Sequence, residues 1–174
     1  MFREMRRNKQ ALSEEECREI LESCTSGTLA VLGDEGYPYA VPLSYVYHDG
    51  HIYFHCARSG HKLDAVRACD KVSFCVIDRD EVVPEKFTTK YRSVIVFGRA
   101  REVTDPREIE GIMRALAGKY SPNEGEDAFR HEMRSSGALC VLALDMEHLS
   151  GKQGKELLNE RKINKWQVEE AEEH

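Results

Sequence analysis

Between Tyr37 and Tyr47, every second residue is aromatic or bulky and apolar, and this alternation constrains the fold more than any other stretch of the chain. A period of two is typical of a β-strand that buries one face. Glycine-containing turn signals flank the stretch on both sides, and a short apolar run lies beyond each turn. The sequence therefore predicts three antiparallel strands in a meander. They are Thr28 to Leu32, Tyr37 to Tyr47 and Ile52 to Ala57, with Tyr37, Tyr39, Val41, Leu43, Tyr45 and Tyr47 on one face of the long strand.

Three more apolar runs predict strands further along the chain. They are rich in β-branched residues, which favour strands, and they span Val72 to Ile77, Ser93 to Ala100 and Ala138 to Asp145. The segment from Arg79 to Tyr91 holds Pro84 and predicts an irregular connection between two of these strands.

Helix signals lie between the strands. A capping box from Ser13 to Glu16 opens a helix with Cys17, Ile20, Leu21 and Cys24 on one face. Asp105 followed by Pro106 predicts a second start, for a helix that runs to about Tyr120. Shorter helices are predicted from Leu63 to Ala68 and from Asp127 to Arg134.

The order of these elements predicts a mainly β protein with short helices. Strands in meanders, without long intervening helices, argue against a doubly wound parallel sheet. Closing six antiparallel strands into a small barrel would remove exposed edges. We expect a domain over residues 1–150 and a charged tail or helix over residues 151–174, which contains Trp166.

Composition excludes several other classes. A chain of 174 residues can bury roughly 70% of its unfolded surface and needs no covalent staple. A net charge of −6 gives no global support for nucleic-acid binding. No apolar run is long enough to span a membrane, and none follows the basic N-terminus as in a secretory signal. Six cysteines without a Cys-x-x-Cys pair suggest reduced thiols, so we expect a cytoplasmic protein.

The corner from Phe54 to Ala68, FHCARSGHKLDAVRA, begins as a strand and ends as a helix. A helix N-terminus attracts anions, above all phosphate. Ser59 can cap the helix, Gly60 permits close approach of a ligand, and Arg58 and Lys62 add positive charge. Asp64 in the first turn could satisfy the same N–H groups, so an anion site and a plain capped helix both remain open.

Several single side chains also have two interpretations. His61 is either a proton donor in a pocket or a structural residue. Cys56 is either a reactive thiol, activated by Arg58 and the helix start, or a buried inert one. Arg92 either pairs with Asp78 or Asp80 or recognises an anionic ligand. His48, His51 and His55 lack a Cys or carboxylate that would complete a metal site, so no metal is predicted.

Three motifs together resemble a known family. They are VPLSYVY, IYFHCA-x-x-GHK-x-D and KYRSV-x-x-x-G-x-A, and the resemblance covers about Met5 to Lys152. The sequence is similar to the flavin split-barrel proteins of the pyridoxamine-phosphate-oxidase superfamily, and more narrowly to their 5-nitroimidazole-resistance (Nim-type) branch.

The resemblance implies FMN held between the two subunits of a homodimer. By analogy, Pro42, Leu43, Ser44 and Tyr45 would lie along the flavin ring, mainly through backbone groups. His55, Cys56, Ala57 and Arg58 would lead from the ring to the phosphate, which His61 and Lys62 would help hold. Tyr91, Arg92 and Ser93 would approach from a neighbouring strand.

The implied function is reduction of a small organic substrate, with a nitroaromatic suggested by the branch name and His61 as the expected catalytic residue. The alternative is an FMN-binding module for sensing or storage without turnover. The sequence has no Gly-x-Gly-x-x-Gly fingerprint for a resident dinucleotide. The segment Val82 to Thr89 departs from the family pattern, and it is expected to border the substrate.

Overall fold

A computed structural model of the chain describes residues 1–135 and 139–160. Within these ranges the strands are β1 (Ser26–Leu32), β2 (Pro38–Ser44), β3 (Val46–His48), β4 (His51–Ala57), β5 (Lys71–Val83), β6 (Thr88–Glu102) and β7 (Leu139–Gln153). The helices are α1 (Glu14–Ser23), α2 (His61–Ala68), α3 (Pro106–Tyr120) and α4 (Glu126–Ser135).

All seven strands belong to one antiparallel sheet, in the order β2-β1-β5-β6-β7-β4-β3. The two end strands, β2 and β3, are consecutive in the chain and only Tyr45 separates them. The sheet must therefore curl until its two ends meet at this residue. Among the described residues no ladder pairs β2 with β3, so the barrel is split.

The prediction of a mainly β protein with short helices and the antiparallel sheet of a split barrel is confirmed, but the predicted number of six strands is wrong and the sheet is not closed. The long predicted strand from Tyr37 to Tyr47 is broken at Tyr45, which gives seven strands instead of six. The break has a physical cause, because the N–H and C=O groups of Tyr45 bond to the Tyr120 hydroxyl of α3 at 2.9 and 2.7 Å. Those backbone groups therefore take no part in a strand ladder.

Two apolar cores follow from the alternation of side chains across the sheet. Helices α1 and α2 pack against the barrel interior, whose fully buried side chains include Tyr45, Phe54, Phe74, Leu21 and Leu29. A second core lies on the outer face of β4 and β7, under α3 and α4, and contains Val46, Tyr53, Ile112, Leu116 and Val141.

The segment Arg79 to Tyr91 is a β-hairpin arm, which corrects the predicted irregular connection. Strands β5 and β6 stay paired out to Val83 and Thr88, and a short 3₁₀ turn at Pro84–Lys86 joins them. The register shifts between Ile77 and Arg79, where the arm leaves the barrel. Because the proline lies in the turn, it interrupts no ladder.

Strand β7 runs to Gln153 and thus crosses the expected domain end at residue 150. Its second half pairs with the start of β6, with Gln153 opposite Arg92. Residues 155–160 are helical and follow directly. The predicted tail beyond residue 160, with Trp166, and the predicted strand start at Ala138 lie outside the described residues.

The predicted helix starts at α1 and α3 are confirmed. Ser13 and Glu16 form both bonds of the capping box, and Asp105 accepts a bond from the Arg107 N–H ahead of α3. None of the helices in the described part of the chain is long and apolar enough to cross a membrane.

Candidate functional site

The corner between β4 and α2 is a helix start without a side-chain cap. The N-cap residue is Gly60, with φ of 129°, and no side chain of the described residues caps the first N–H groups of the helix. The expectation that Ser59 caps this helix is therefore wrong. A positive φ of this size suits glycine, which has no Cβ to clash. The first turn of α2 thus keeps the capacity of a helix N-terminus to bind an anion.

Two cations beside this helix start lack carboxylate partners among the described residues. Arg58 is exposed, and its Nε donates to the Leu139 carbonyl at 3.3 Å. Lys62 is half-buried and forms no ion pair within the same ranges. By contrast, Arg67 at the other end of α2 holds Glu102 through bonds of 2.6 and 3.0 Å. The positive charge available for a ligand is therefore at the start of the helix.

His61 packs on the turn between β1 and β2. Its ring stacks on Tyr39 with centroids 4.2 Å apart. Its Nε2 accepts a hydrogen bond from the Asp34 N–H at 3.4 Å, and the Asp34 carboxylate lies 3.8 Å away. Since an accepting Nε2 carries no proton, the mobile proton of this tautomer is on Nδ1.

Cys56 lies on the inner face of β4, directly opposite Cys140 of β7. Burial raises the pKa of the Cys56 thiol, and the nearby Lys62 ammonium offsets only part of that rise. Burial also raises the pKa of Cys140 to about 12. A thiol held protonated is a poor nucleophile, so the geometry favours the inert interpretation of Cys56. Its neighbours His55 and Ala57 are exposed on the opposite face of the strand.

The β2 residues expected along the flavin ring divide between two faces. Pro42 and Ser44 are exposed, while Leu43 packs against the barrel core. Tyr45 is fully buried, and its hydroxyl donates to the Leu21 carbonyl at 2.8 Å. Because the Tyr45 N–H already donates to the Tyr120 hydroxyl, a ligand that accepts from this N–H has to displace Tyr120.

Tyr91, Arg92 and Ser93 lie at the start of β6, away from the α2 corner. Arg92 Nε donates to the Asp78 carboxylate at 2.5 Å, which is the ion pair considered from the sequence. The Tyr91 carbonyl accepts from the Gly154 N–H at 2.8 Å. Helix α2 contacts the other end of β6 through Glu102, ten residues from Arg92 and thus roughly 33 Å along an extended strand. The structure does not bring this group to the helix start within one chain.

Comparison with known proteins identifies the family. A family model described as pyridoxamine 5'-phosphate oxidase matches residues 13–153. The chain belongs to this family. No protein with a curated description matches the sequence.

Solved structures of similar fold include pyridoxamine 5'-phosphate oxidase relatives of diverse description. A conserved hypothetical protein from Mycobacterium tuberculosis aligns with a TM-score of 0.74 and 21% identity, over 86% of this chain and 90% of the other. A candidate 5-nitroimidazole antibiotic resistance protein from Bacteroides thetaiotaomicron gives 0.67 and 17%, over 82% and 86%. An FAD-binding protein from Mesorhizobium loti gives 0.60 and 26%, over 83% and 97%.

Lys119 of α3 lies beside Tyr45, one of the residues expected along the flavin ring, although the sequence motifs did not indicate it. Its Nζ is fully enclosed and has no hydrogen-bond partner among the described residues. The ammonium lies 4.3 Å from the centroid of the Tyr45 ring. Burial lowers the pKa of Lys119. No local pattern distinguishes this lysine, because its burial results from contacts between distant elements.

A cavity of about 780 Å³ lies on the outer face of the sheet, between α3, α4 and the ends of β2 and β4. Two residues that the family resemblance assigns to the flavin, Ser44 and His55, are part of its wall. Helix residues supply most of the remaining wall, and the sequence motifs did not indicate them. The described residues contain no group of three His, Cys, Asp or Glu side chains placed to hold a metal ion.

Proposed function

We propose that this protein is an FMN-dependent oxidoreductase that reduces a small organic substrate, with nitroaromatics as the first class to test. The observation that carries the proposal is the helix start of α2, where, within residues 1–135 and 139–160, Arg58 and Lys62 have no carboxylate partner and no side chain caps the helix. A phosphate monoester satisfies both the cations and the N–H groups.

The residues of the corner fit FMN better than they fit an uncharged ligand. FMN joins an apolar tricyclic ring to a dianionic phosphate, and apolar strand walls that end at a cationic helix start complement both parts. When bound, it would supply reversible electron transfer to a substrate. The chain would supply the binding, the orientation and a proton.

In the proposed site, Lys62 and Arg58 hold the phosphate, and the exposed side of β2 from Pro42 to Ser44 supports the ring. His61 is the proposed proton donor. As a proton donor His61 would act as the imidazolium, whose Nε2–H would face the Asp34 carboxylate 3.8 Å away, so Nδ1 is the atom that would deliver the proton. Stacking on Tyr39 keeps the imidazole plane fixed, which is a requirement for efficient proton transfer.

Two features support a homodimer as the proposed assembly. Tyr91, Arg92 and Ser93 lie far from the α2 corner of their own chain, so a cofactor that uses both groups needs a second copy. The outer face of β5 and β6 also exposes large apolar side chains that none of the described helices covers, namely Ile77, Ile95 and Phe97 at 62%, 40% and 41%. A second copy of the chain would bury this face.

An absorption spectrum of the purified protein, with chromatography of the released cofactor, tests flavin binding. Two visible flavin bands and free FMN support the proposal. A colourless protein that does not bind added FMN overturns it, and a sharp Soret band would indicate haem instead.

Turnover needs a separate measurement. The flavin is reduced with dithionite under anaerobic conditions, and its reoxidation by 4-nitrobenzyl alcohol is followed at the flavin bands. Reoxidation much faster than that of free reduced FMN supports the reductase. A flavin that is reduced but never passes its electrons on supports the alternative, an FMN-binding module for storage or sensing.

A further inference from the structure

Cys56 and Cys140 form a pair of thiols across two neighbouring strands. They lie directly opposite each other in the antiparallel ladder of β4 and β7, and their sulfurs are within hydrogen-bonding reach of each other. Directly opposite residues of an antiparallel pair have Cα atoms about 4.5–5.5 Å apart. A disulfide spans Cα separations of about 4.4–6.8 Å. The register of the two strands therefore already meets the distance requirement of a disulfide.

The other four cysteines have no such placement. Cys75 of β5 lies opposite Ile95 of β6 and Thr28 of β1. The remaining three lie in helices or at helix ends, and these are Cys17, Cys24 and Cys69. In the described part of the chain, no cysteine other than the pair on β4 and β7 therefore faces a second cysteine across a strand ladder.

The surroundings of the two thiols give them different roles. Cys56 is half-buried, and the Lys62 ammonium beside it favours the thiolate. Cys140 is 9% exposed, and its Sγ donates to the Glu102 carboxylate at 3.6 Å. Arg67 holds the same carboxylate on its other side. A small oxidant from solvent therefore reaches Cys56 first, and Cys140 is the thiol that would close the bond.

The thiol pair adjoins the corner between β4 and α2. The next pair of the ladder, Ala57 opposite Leu139, is the last one that joins the two strands. The Leu139 carbonyl accepts the hydrogen bond from Arg58, which follows directly in the corner. A covalent bond between Cys56 and Cys140 would therefore tie β4 to β7 one residue pair before the corner begins.

We propose that Cys56 and Cys140 form a reversible disulfide when the protein meets a hydroperoxide, and that this bond makes the corner between β4 and α2 more rigid. The site goes beyond the proposed flavin chemistry and does not depend on it. Disulfides that form and break in this way act as redox sensors, in contrast to the permanent disulfides of secreted proteins.

The reaction takes two electrons from the two thiols and gives them to the peroxide. The Cys56 thiolate attacks one oxygen of H₂O₂, the O–O bond breaks, and the departing oxygen leaves as water, so that Cys56 becomes a sulfenic acid. The Cys140 sulfur then attacks the Cys56 sulfur, and the S–O bond breaks. The departing hydroxide takes the proton of Cys140. Two thiols and one H₂O₂ thus give one disulfide and two water molecules.

The two steps differ in rate. Burial raises the pKa of the Cys56 thiol, so the first step is slow at neutral pH and becomes faster as the pH rises and the thiolate fraction grows. The second step is fast, because the two sulfurs already lie side by side. The pair therefore responds to sustained exposure to peroxide and takes no part in turnover, in agreement with a Cys56 that is inert toward substrate.

The experiment maps disulfides in the purified protein as isolated, after treatment with H₂O₂ at pH 8. Remaining thiols are alkylated with iodoacetamide, and peptides are analysed by mass spectrometry with and without dithiothreitol. We expect one linked pair of peptides that contains Cys56 and Cys140, lighter by two hydrogens and separated by dithiothreitol. Cys56→Ser and Cys140→Ser should each abolish the link. Cys75→Ser, at a thiol that is also half-buried but lies opposite Ile95, should retain it.

Hydrogen exchange then tests the effect on the corner. Amides of residues 54–62 should exchange at least about threefold more slowly in the oxidised wild type than in the reduced one, and dithiothreitol should reverse the change. Cys140→Ala, which places no hydroxyl at the buried position, is a second variant beside Cys140→Ser and should show no effect of peroxide on these amides. Circular dichroism confirms that each variant is folded.

Three results would overturn the proposal. They are a wild type in which peroxide links no peptides, a link that persists in Cys140→Ser, and exchange in the corner that is the same in the oxidised and reduced protein. A first step no faster at pH 9 than at pH 7 would also contradict attack by a thiolate.

Discussion

The Lys119 ammonium lies 4.3 Å from the centroid of the buried Tyr45 ring and has no hydrogen-bond partner among the described residues. A cation–π contact offsets part of the cost of enclosing a charge, but it does not replace the lost hydrogen bonds to water. The lowered pKa of Lys119 is the electrostatic consequence. This pair lies at the point where the barrel is split, so its energetics bear on the fold.

Lys119→Met should therefore stabilise the protein at neutral pH. Methionine keeps the length of the side chain and removes the buried charge. We expect a rise in Tm of a few degrees, since about 1 kcal/mol corresponds to 2–4 °C in a protein of this size. Lys155→Met, at an exposed position, is the matched control and should leave Tm nearly unchanged.

The advantage of Lys119→Met should also depend on pH. The folded state lowers the pKa of Lys119, so the unfolded state binds more protons between that pKa and the ordinary value of about 10.4. The free energy of unfolding of the wild type must then rise, relative to the variant, as the pH increases through this interval. Urea unfolding at pH 7 and pH 10 measures this change, and an equal difference at both pH values would contradict the assignment.

Tyr120→Phe should destabilise the protein by about 1–3 kcal/mol, the usual cost of buried polar groups left without partners. The Tyr120 hydroxyl bonds to both backbone groups of Tyr45, and no strand ladder replaces it there. Chemical denaturation measures the loss, with Tyr37→Phe, at a side chain that is 72% exposed, as the control. A loss no larger than that of the control would show that water satisfies the Tyr45 backbone equally well.

Lys62→Ala should weaken FMN binding by about 1–3 kcal/mol, as expected for the loss of a charge-assisted hydrogen bond to phosphate. Fluorescence titration of the flavin-free protein gives the Kd. Lys9→Ala removes the same charge from an exposed position before α1 and should leave the Kd unchanged. Equal affinities in the two variants would place the phosphate away from the α2 corner.

His61→Gln should retain flavin but slow its reoxidation by substrate about 100-fold or more, the usual contribution of a general acid. The glutamine amide can still accept the hydrogen bond from Asp34, which preserves the packing of the turn. Stopped-flow absorbance at the flavin bands follows the rate, while the Kd for FMN serves as the internal control. A loss of flavin with an unchanged rate per bound flavin would make His61 a binding residue.

Ile95→Arg should convert the proposed dimer into monomers. The substitution places a charge in the middle of the apolar face of β5 and β6, where a second copy would otherwise bury it without a partner. Analytical ultracentrifugation gives the mass. Val82→Arg, at a side chain 69% exposed on the hairpin arm, is the control. A wild type that sediments as a monomer, or a dimeric Ile95→Arg, would contradict this interface.

The sequence predicted the elements that carry a local signal. The capping box at Ser13, the Asp105-Pro106 start and the alternation from Tyr39 to Leu43 depend only on neighbouring residues, and the structure shows each of them. The hairpin arm was missed because its strands are polar and show no apolar period. Backbone pairing holds it, together with ion pairs such as that of Lys90 with Glu160 at 2.7 Å.

The candidate site was predictable only where its chemistry is local. Arg58, Gly60 and Lys62 adjoin one another in the chain, so their residue types alone indicated an anion site. The enclosure of Lys119 and the engagement of the Tyr45 backbone by Tyr120 join residues 74 and 75 positions apart. No periodicity encodes such contacts. The break at Tyr45 was hidden for the same reason, since the tyrosine itself fits the strand pattern.

The single residue between β2 and β3 links the registers of two separate strand pairings. A slip of β2 by one position against β1 would move Tyr45 and thereby shift β3 against β4 as well. Each slip turns the buried face of a strand outward. A slip of β2 would therefore expose buried side chains of both β2 and β3. The link at Tyr45 therefore couples the two ends of the sheet, so that a slip of β2 costs more than a slip confined to a single strand pairing.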